Sequence, residues 1–145
     1  MVIAPIATVS FHNNNPTWSD TFLKPTKQII VDVTELKVAI AQTPEEITQG
    51  LSGRSGLADD EGLLFIFDDS AERTFWMKDM LFNIDMIFIE DGKIVDIAKN
   101  MPKPKPWDWP ATYTSKSPAD MVLEVKAGLS ERNGWIIGDS INYQN

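Results

Sequence analysis

A β-hairpin is the strongest structural signal in this sequence. Two segments rich in apolar and β-branched residues, Ile84–Glu90 and residues 93–98, are separated only by Asp91-Gly92. Asp and Gly both tolerate the positive φ angles of a type I′ turn, which joins antiparallel strands. The sequence therefore predicts an antiparallel hairpin formed by these two segments.

Further strands are predicted where short apolar runs are bounded by turn residues. The longest continuous run, Leu63-Leu64-Phe65-Ile66-Phe67, is typical of a strand buried on both faces, so it is expected at the centre of the sheet. The other predicted strands cover residues 29–33, 36–41, 74–77, 121–125 and 141–143.

Three short helices are predicted from their terminal residues. Thr43-Pro44-Glu45-Glu46 combines a capping side chain, a proline at the first helical position and a carboxylate at the capping-box position, and Gly50 ends the helix. The same cap-then-proline pattern predicts a helical turn at Ser117-Pro118. A further short helix is expected at residues 127–132, closed by Asn133-Gly134.

These elements predict a single β-rich α+β domain of mostly antiparallel strands, barrel-like or sandwich-like, with two or three short helices. The chain has 145 residues with 43% hydrophobic and 23% charged residues, which suits one domain with its own core. We assign this domain to residues 28–145 and interpret residues 1–27 as a leader or linker. The apolar start of the chain is too short to span a bilayer and lacks the basic residues of a complete signal peptide.

Composition excludes several chemistries. The chain has no Cys and one His, so thiolate catalysis, disulfides and sites needing several His ligands are excluded within it. Because His12 lies in the predicted linker, the domain itself is expected to lack imidazole. The net charge of -8 opposes nonspecific binding to nucleic acid or to an anionic membrane, because both depend on clustered Lys and Arg, but it is compatible with a local basic patch. We expect no nucleic-acid partner, no transmembrane segment, no cofactor and no metal site.

Several sequence blocks, taken in their order along the chain, resemble the family called domain of unknown function 192. The blocks are Glu46, Gly50-Leu51-Ser52-Gly53-Arg54, Gly62-Leu63-Leu64-Phe65-Ile66-Phe67, Phe75-Trp76-Met77-Lys78-Asp79, Ile84-Asp85-Met86-Ile87-Phe88-Ile89, Val122-Leu123-Glu124-Val125-Lys126-Ala127-Gly128 and Gly138-Asp139. The resemblance implies a small antiparallel β fold without an established catalytic activity. It also implies a location outside the cytoplasm, in a secreted or anchored protein.

A binding cluster is predicted at Arg54, Trp76, Lys78, Asp79 and Asp85. An Arg in a glycine-flanked loop can present a planar fork to a carboxylate or phosphate, and Trp76 can offer a flat ring to a sugar or cation. The alternative is structural: Arg54 would bridge carboxylates and fix its loop on the sheet. For Asp85, which lies within a strand, a structural hydrogen-bonding role is favoured because a buried carboxylate requires partners.

A proline-rich loop, residues 101–110, carries Trp107 and Trp109. Its alternating prolines exclude it from a sheet interior and favour polyproline II. Both rings are expected to fold back on the core as a lid, with a ligand- or partner-binding role as the alternative.

Binding is therefore predicted over catalysis: a noncatalytic extracytoplasmic domain for a small molecule or an envelope component. One alternative is a hydrolase or lyase acting on envelope carbohydrate through paired carboxylates, with Asp79 and either Asp85 or Glu124 as the first pair to test. The other is a purely structural or interaction module. Residues 59–61 and 68–69 are interpreted as solvated acidic loops rather than calcium sites.

Overall fold

The computed structural model describes residues 26–143, which contain nine strands and two short helices. The strands are β1 (Thr26–Val31), β2 (Thr34–Ala41), β3 (Glu61–Ala71), β4 (Thr74–Trp76), β5 (Ile84–Glu90), β6 (Lys93–Met101), β7 (Thr112–Thr114), β8 (Ala119–Lys126) and β9 (Ile141–Tyr143). The helices are α1 (Pro44–Gln49) and α2 (Leu129–Arg132).

Seven strands form one sheet in the order β6-β5-β8-β3-β2-β1-β9, and β4 and β7 form a separate antiparallel pair. All neighbours in the large sheet are antiparallel except β2 and β3, which run parallel. The sheet curves into a half-barrel. The predicted β-rich α+β class is confirmed, with one parallel pair that the sequence did not indicate.

Residues 138–141 connect the two outer regions of the sheet. The Gly138 amide donates to the Ile94 carbonyl at 2.8 Å, and the Ile94 amide donates to the Asp139 carbonyl at 2.9 Å. On the other side, the Asp32 amide donates to the Ser140 carbonyl at 2.9 Å. These bonds satisfy backbone groups at the start of β6 that an edge strand would otherwise leave unpaired.

Apolar side chains cover both faces of the sheet. One buried cluster includes Leu64, Ile87 and Leu123, and the other includes Leu63, Phe65 and Phe88. Alternate residues of a strand face opposite sides, so the apolar run in β3 contributes to both clusters. The predicted central position of this strand is confirmed, since β3 is the fourth of the seven strands.

The predicted hairpin is confirmed as β5 and β6, with Asp91 and Gly92 at positive φ angles of 49° and 71°. The first helix is also confirmed. Thr43 accepts from the Glu46 amide at 3.2 Å, and the Glu46 carboxylate accepts from the Thr43 amide at 3.0 Å, which completes the capping box.

The helical turn predicted at Ser117-Pro118 is wrong. The chain bends there and enters β8 at Ala119, which pairs with Ala71 of β3. Ser115 Oγ donates to the Ser117 carbonyl at 2.8 Å, so the serine-proline segment forms a turn between strands. The short helix predicted at residues 127–132 is confirmed as α2, although it begins at Leu129.

Strand β1 begins two residues before the predicted domain start at Gln28. The remainder of the predicted leader or linker, residues 1–25, lies outside the described residues. Within residues 26–143, neither helix has the length and apolar character needed to cross a membrane.

Candidate functional site

Three loops meet at one end of the sheet, and we call them the rim: residues 50–54, 76–83 and 102–111. The first two are joined by the Gly53 amide, which donates to the Asp79 carbonyl at 2.9 Å. Ser52 Oγ also donates to the Lys78 carbonyl at 3.0 Å. The loop that carries Arg54 is therefore fixed to the loop that carries Lys78 and Asp79.

The third loop is attached near both of its ends. The Met77 amide donates to the Ala111 carbonyl at 2.9 Å, and the Lys103 amide donates to Asn83 Oδ1 at 2.8 Å. The structure thus brings the loop of Trp107 and Trp109 against the segment that contains Trp76 and Lys78. Because the three loops share hydrogen bonds, the rim is a continuous surface held by the sheet.

Trp107 and Trp109 project into solvent, with 80% and 92% of their surfaces exposed. The prediction that both rings fold back as a lid is therefore wrong. The physical reason is that other rings already cover the core beside β5. Phe88 stacks on Tyr113 with ring centroids 5.6 Å apart, and it makes an edge contact with Phe75 at 6.2 Å. The β4–β7 pair supplies Phe75 and Tyr113, so it covers the apolar surface that the tryptophans were expected to cover.

Trp76 is half-buried at the end of β4, and the Lys78 ammonium lies 5.1 Å from the centroid of its ring. This distance is within the range of a cation–π contact. The indole nitrogen of Trp76 is buried and has no hydrogen-bond partner among residues 26–143. The Trp76 ring is thus already paired with a cation on one side.

Asp79 contributes through its backbone. It adopts a φ of 58°, a left-handed conformation that Asp and Asn tolerate better than most residues, and its carbonyl receives the Gly53 amide. The carboxylate itself is exposed. Asp79 therefore shapes the junction of two rim loops and leaves its charge on the surface.

Arg54 is almost completely buried within the rim, with only 8% of its surface exposed. Burial lowers the pKa of the Arg54 guanidinium, and the nearby Glu61 carboxylate partly offsets that effect. A guanidinium stays protonated through such a change. Its charge is therefore present in the rim but shielded from solvent, which favours the structural alternative over the open fork.

Asp85 is completely buried and accepts hydrogen bonds from two different segments. Its Oδ2 receives the Ser130 hydroxyl at 2.6 Å and the Ser130 amide at 3.0 Å, and the Gly128 amide lies 3.1 Å away. Its Oδ1 receives the Asn100 amide at 2.9 Å. These bonds connect β5 to the start of α2 and to the end of β6, as expected of a structural carboxylate.

Glu124 is a carboxyl group buried in apolar surroundings. It is fully buried, and neither carboxyl oxygen has a hydrogen-bond partner among residues 26–143. It lies directly opposite Leu63 on β3 and Met86 on β5, so its side chain faces the same apolar cluster as theirs. Burial raises the pKa of Glu124 to about 8, so the carboxyl group is largely protonated at neutral pH.

The pairing of the buried Asp96 with the half-buried Tyr113 was not indicated by the sequence. The Tyr113 hydroxyl donates to Asp96 Oδ2 at 2.9 Å, and the Lys116 amide donates to the same oxygen at 2.9 Å. Burial, and then the Asp96 carboxylate, raise the pKa of Tyr113 to about 12. The available signal was the position of Asp96, two residues before the buried residue Ala98 of β6.

Of the two predicted acidic loops, residues 59–60 form a turn, but the loop predicted at residues 68–69 is wrong, because β3 continues through them to Ala71. Both segments are neutralised in part by neighbouring cations. Asp59 lies 3.0 Å from the Lys126 ammonium and 3.3 Å from the Arg132 guanidinium. Asp69 pairs with the Arg73 guanidinium at 2.8 Å.

A group of three carboxylates lies at the β5–β6 turn. Carboxylate oxygens of Glu90, Asp91 and Asp120 are within 4.8 Å of one another there, and the sequence did not indicate this grouping.

A concavity of about 310 Å³ has none of the rim residues in its lining. It is lined by Ile47, Thr48, Phe67, Glu72, Arg73, Thr74 and Phe75. Arg73 is held there by a contact of 3.9 Å over the Phe67 ring and by a 2.9 Å bond to the Ala119 carbonyl. Glu72 is the single acidic residue in its lining, so this concavity lacks the facing carboxylates of a glycoside hydrolase.

Comparison with known proteins identifies the family. A family model described as "Uncharacterized ACR", DUF192, matches residues 26–143. The chain belongs to the DUF192 family. The matched segment coincides with the described sheet and both helices, which confirms the resemblance found in the sequence.

Two solved structures share the DUF192 fold seen here. One is a "putative transcription regulator" from Sinorhizobium meliloti 1021, 31% identical, covering 85% of this chain and 97% of its own, with a TM-score of 0.76. The other is a protein of unknown function from Novosphingobium aromaticivorans DSM 12444, 29% identical, covering 81% and 84%, with a TM-score of 0.73. No curated protein matches the chain.

Proposed function

We propose that this DUF192 chain is a noncatalytic binding domain, acting outside the cytoplasm, whose rim contacts a small ligand or a partner. The supporting observation is the exposure of Trp107 and Trp109 on a loop that is hydrogen-bonded to the rest of the rim. Binding residues commonly lie on loops positioned by a rigid scaffold, and large aromatic side chains are enriched at interfaces. Leaving two indole rings in water is unfavourable unless another surface covers them.

The buried carboxylates favour binding over catalysis. Asp85 and Asp96 are saturated by donors from the protein itself, and Glu124 is sealed in an apolar cluster. An acid or base has to reach the reacting group, which none of these three does in this arrangement. The domain from residue 26 onward also contains no His or Cys.

Nucleic acid is not the proposed partner. The relative from Sinorhizobium meliloti is described as a "putative transcription regulator", but a net charge of -8 opposes binding to a phosphate backbone. The location outside the cytoplasm rests on the family resemblance. Fractionation of cells that produce the full chain would test it.

A ligand screen tests the rim. We expect a sugar, nucleotide, amino acid or divalent ion that binds the rim to raise the apparent melting temperature, because it stabilises only the folded state. Its binding should also change the fluorescence of Trp107 and Trp109. The double variant Trp107→Ala/Trp109→Ala should fold normally and lose the shift.

The matched control is Ile136→Ala/Ile137→Ala. These side chains are 64% and 67% exposed, but they lie near the start of β6, roughly 26 Å along the strand from the rim. A shift that persists in the tryptophan variant, or disappears only in the isoleucine variant, would refute binding at the rim.

A further inference from the structure

The apolar side chains of the rim project outward from the protein surface. Besides Trp107 and Trp109, Leu81 is 53% exposed, and it lies two residues before Asn83, whose side chain holds the tryptophan loop. Neither described concavity is lined by any of these three residues. Small molecules are usually bound in concave sites that bury most of their surface, so a projecting apolar loop fits an extended partner better.

The loop is stiffened for such a contact. Pro102, Pro104, Pro106 and Pro110 fix their own φ angles, and the Asp108 amide donates to the Lys105 carbonyl at 3.1 Å across the turn that carries Trp107. Holding two rings outward in a stiff loop reduces the conformational entropy lost when they contact a surface.

The charges around the tryptophans indicate which kind of partner surface the rim would contact. Lys103 and Lys105 are exposed on the loop itself, and Lys78 lies on the neighbouring loop, opposed by the exposed carboxylates of Asp79 and Asp108. The net charge of -8 opposes approach to an anionic surface, but within the rim three lysines outnumber two carboxylates, so the rim itself is slightly basic. Lysines beside exposed tryptophans are typical of segments that bind the boundary between water and lipid.

We propose that the rim docks on an anionic lipid bilayer, with Trp107, Trp109 and Leu81 entering the headgroup region and Lys103 and Lys105 contacting lipid phosphates. This inference rests on the proposed function, because it names the partner of the same rim. Tryptophan rings favour this depth because their apolar body meets lipid while the indole nitrogen reaches polar headgroups. The balance of charges predicts reversible, salt-sensitive association.

Vesicle sedimentation with the full chain tests the proposal. We expect binding to equimolar phosphatidylglycerol and phosphatidylcholine vesicles at low salt, with a blue shift of tryptophan fluorescence, and weaker binding to phosphatidylcholine alone. Trp107→Ser/Trp109→Ser should lower the partition coefficient by about tenfold or more, since it removes most of the inserted apolar area. The control Ile136→Ser/Ile137→Ser should bind like the parent.

Charge variants test the electrostatic part. Lys103→Glu/Lys105→Glu should abolish the preference for phosphatidylglycerol, and Asp108→Asn should strengthen binding, because it removes a carboxylate that the anionic surface repels. Absence of vesicle binding, or binding that neither the tryptophan nor the lysine variant changes, would overturn the lipid proposal. If vesicles fail but a soluble ligand still gives a shift that depends on Trp107 and Trp109, the lipid partner is refuted while the binding rim stands.

Discussion

The Tyr113 hydroxyl donates a 2.9 Å hydrogen bond to Oδ2 of Asp96 and so connects the small β4–β7 pair to the edge strand β6 of the large sheet. The same oxygen receives the Lys116 amide. A single buried carboxylate thus fixes the strand that supplies Tyr113 and the turn that follows it. This attachment also keeps the end of the tryptophan loop in place, because β7 begins at Thr112.

Replacing Tyr113 with Phe removes that bond while keeping the ring. We expect a loss of about 1–2 kcal/mol in the free energy of unfolding, because a buried carboxylate oxygen loses one of its donors. Urea denaturation would measure it. Thr114→Val, which removes an exposed hydroxyl contact with Thr74, should cost less than about 0.5 kcal/mol. Equal losses in the two variants would contradict the role assigned to Asp96.

The Tyr113 phenol should also ionise at a higher pH than an ordinary tyrosine. Because its pKa is raised to about 12 from 10.0, the folded state holds the phenolic proton more tightly than the unfolded chain does. Stability contributed by this proton is present below pH 10 and is lost as pH rises toward 12. Absorbance at alkaline pH, compared between the parent and Tyr113→Phe, should show one phenol ionising above the ordinary range.

Asp85 is expected to be the most sensitive of the predicted site residues to substitution. In Asp85→Asn, the amide nitrogen would face the donors at Gly128, Ser130 or Asn100, so at least one buried donor loses its acceptor. We expect a loss of about 3 kcal/mol or more in unfolding free energy. Asp79→Asn is the control, because Asn also tolerates the positive φ there and the carboxylate is exposed. A comparable loss in both variants would contradict this interpretation.

Features with local causes could be predicted from the sequence. The hairpin follows from Asp91-Gly92, and α1 follows from a capping box whose two bonds join residues three positions apart. The apolar run in β3 identified a central strand because only a strand covered on both faces needs so many consecutive apolar residues.

Features that depend on distant partners could not be predicted. Ser117-Pro118 has the local pattern of a helix start, but the pairing of Ala119 with Ala71 extends β8 instead. The lid prediction failed for a similar reason: whether a tryptophan folds inward depends on what already covers the core, and here Tyr113 does. The burial of Arg54 likewise depends on the position of its loop relative to the sheet.

The exposed tryptophans are expected to contribute little to stability. Trp107→Ala/Trp109→Ala should change the unfolding free energy by less than about 0.5 kcal/mol, because both rings are largely in water. Trp135→Ala is the contrast: that ring is buried, and its loss should cost about 3–5 kcal/mol. Denaturation of the three proteins under identical conditions measures the difference. Large destabilisation by the double variant would restore the lid interpretation.

Glu124 gives the clearest pH prediction. Its pKa is raised to about 8 in the folded protein from 4.5, so the folded state binds a proton that the unfolded chain releases across this range. The contribution of this proton to stability is complete below about pH 4.5, falls by about 1.4 kcal/mol per pH unit as pH rises, and is lost above about pH 8. Urea unfolding of the parent at several pH values would reveal the slope.

The variant Glu124→Gln has approximately the same volume and cannot ionise, so its stability curve should lack this slope. Glu124→Leu should also lack it and should be more stable than the parent above pH 8, because it places an apolar side chain beside Leu63 and Met86. Glu72→Gln, at an exposed position, should keep the pH dependence of the parent. If Glu124→Gln retains the full slope between pH 4.5 and 8, then Glu124 is not the group that binds the proton.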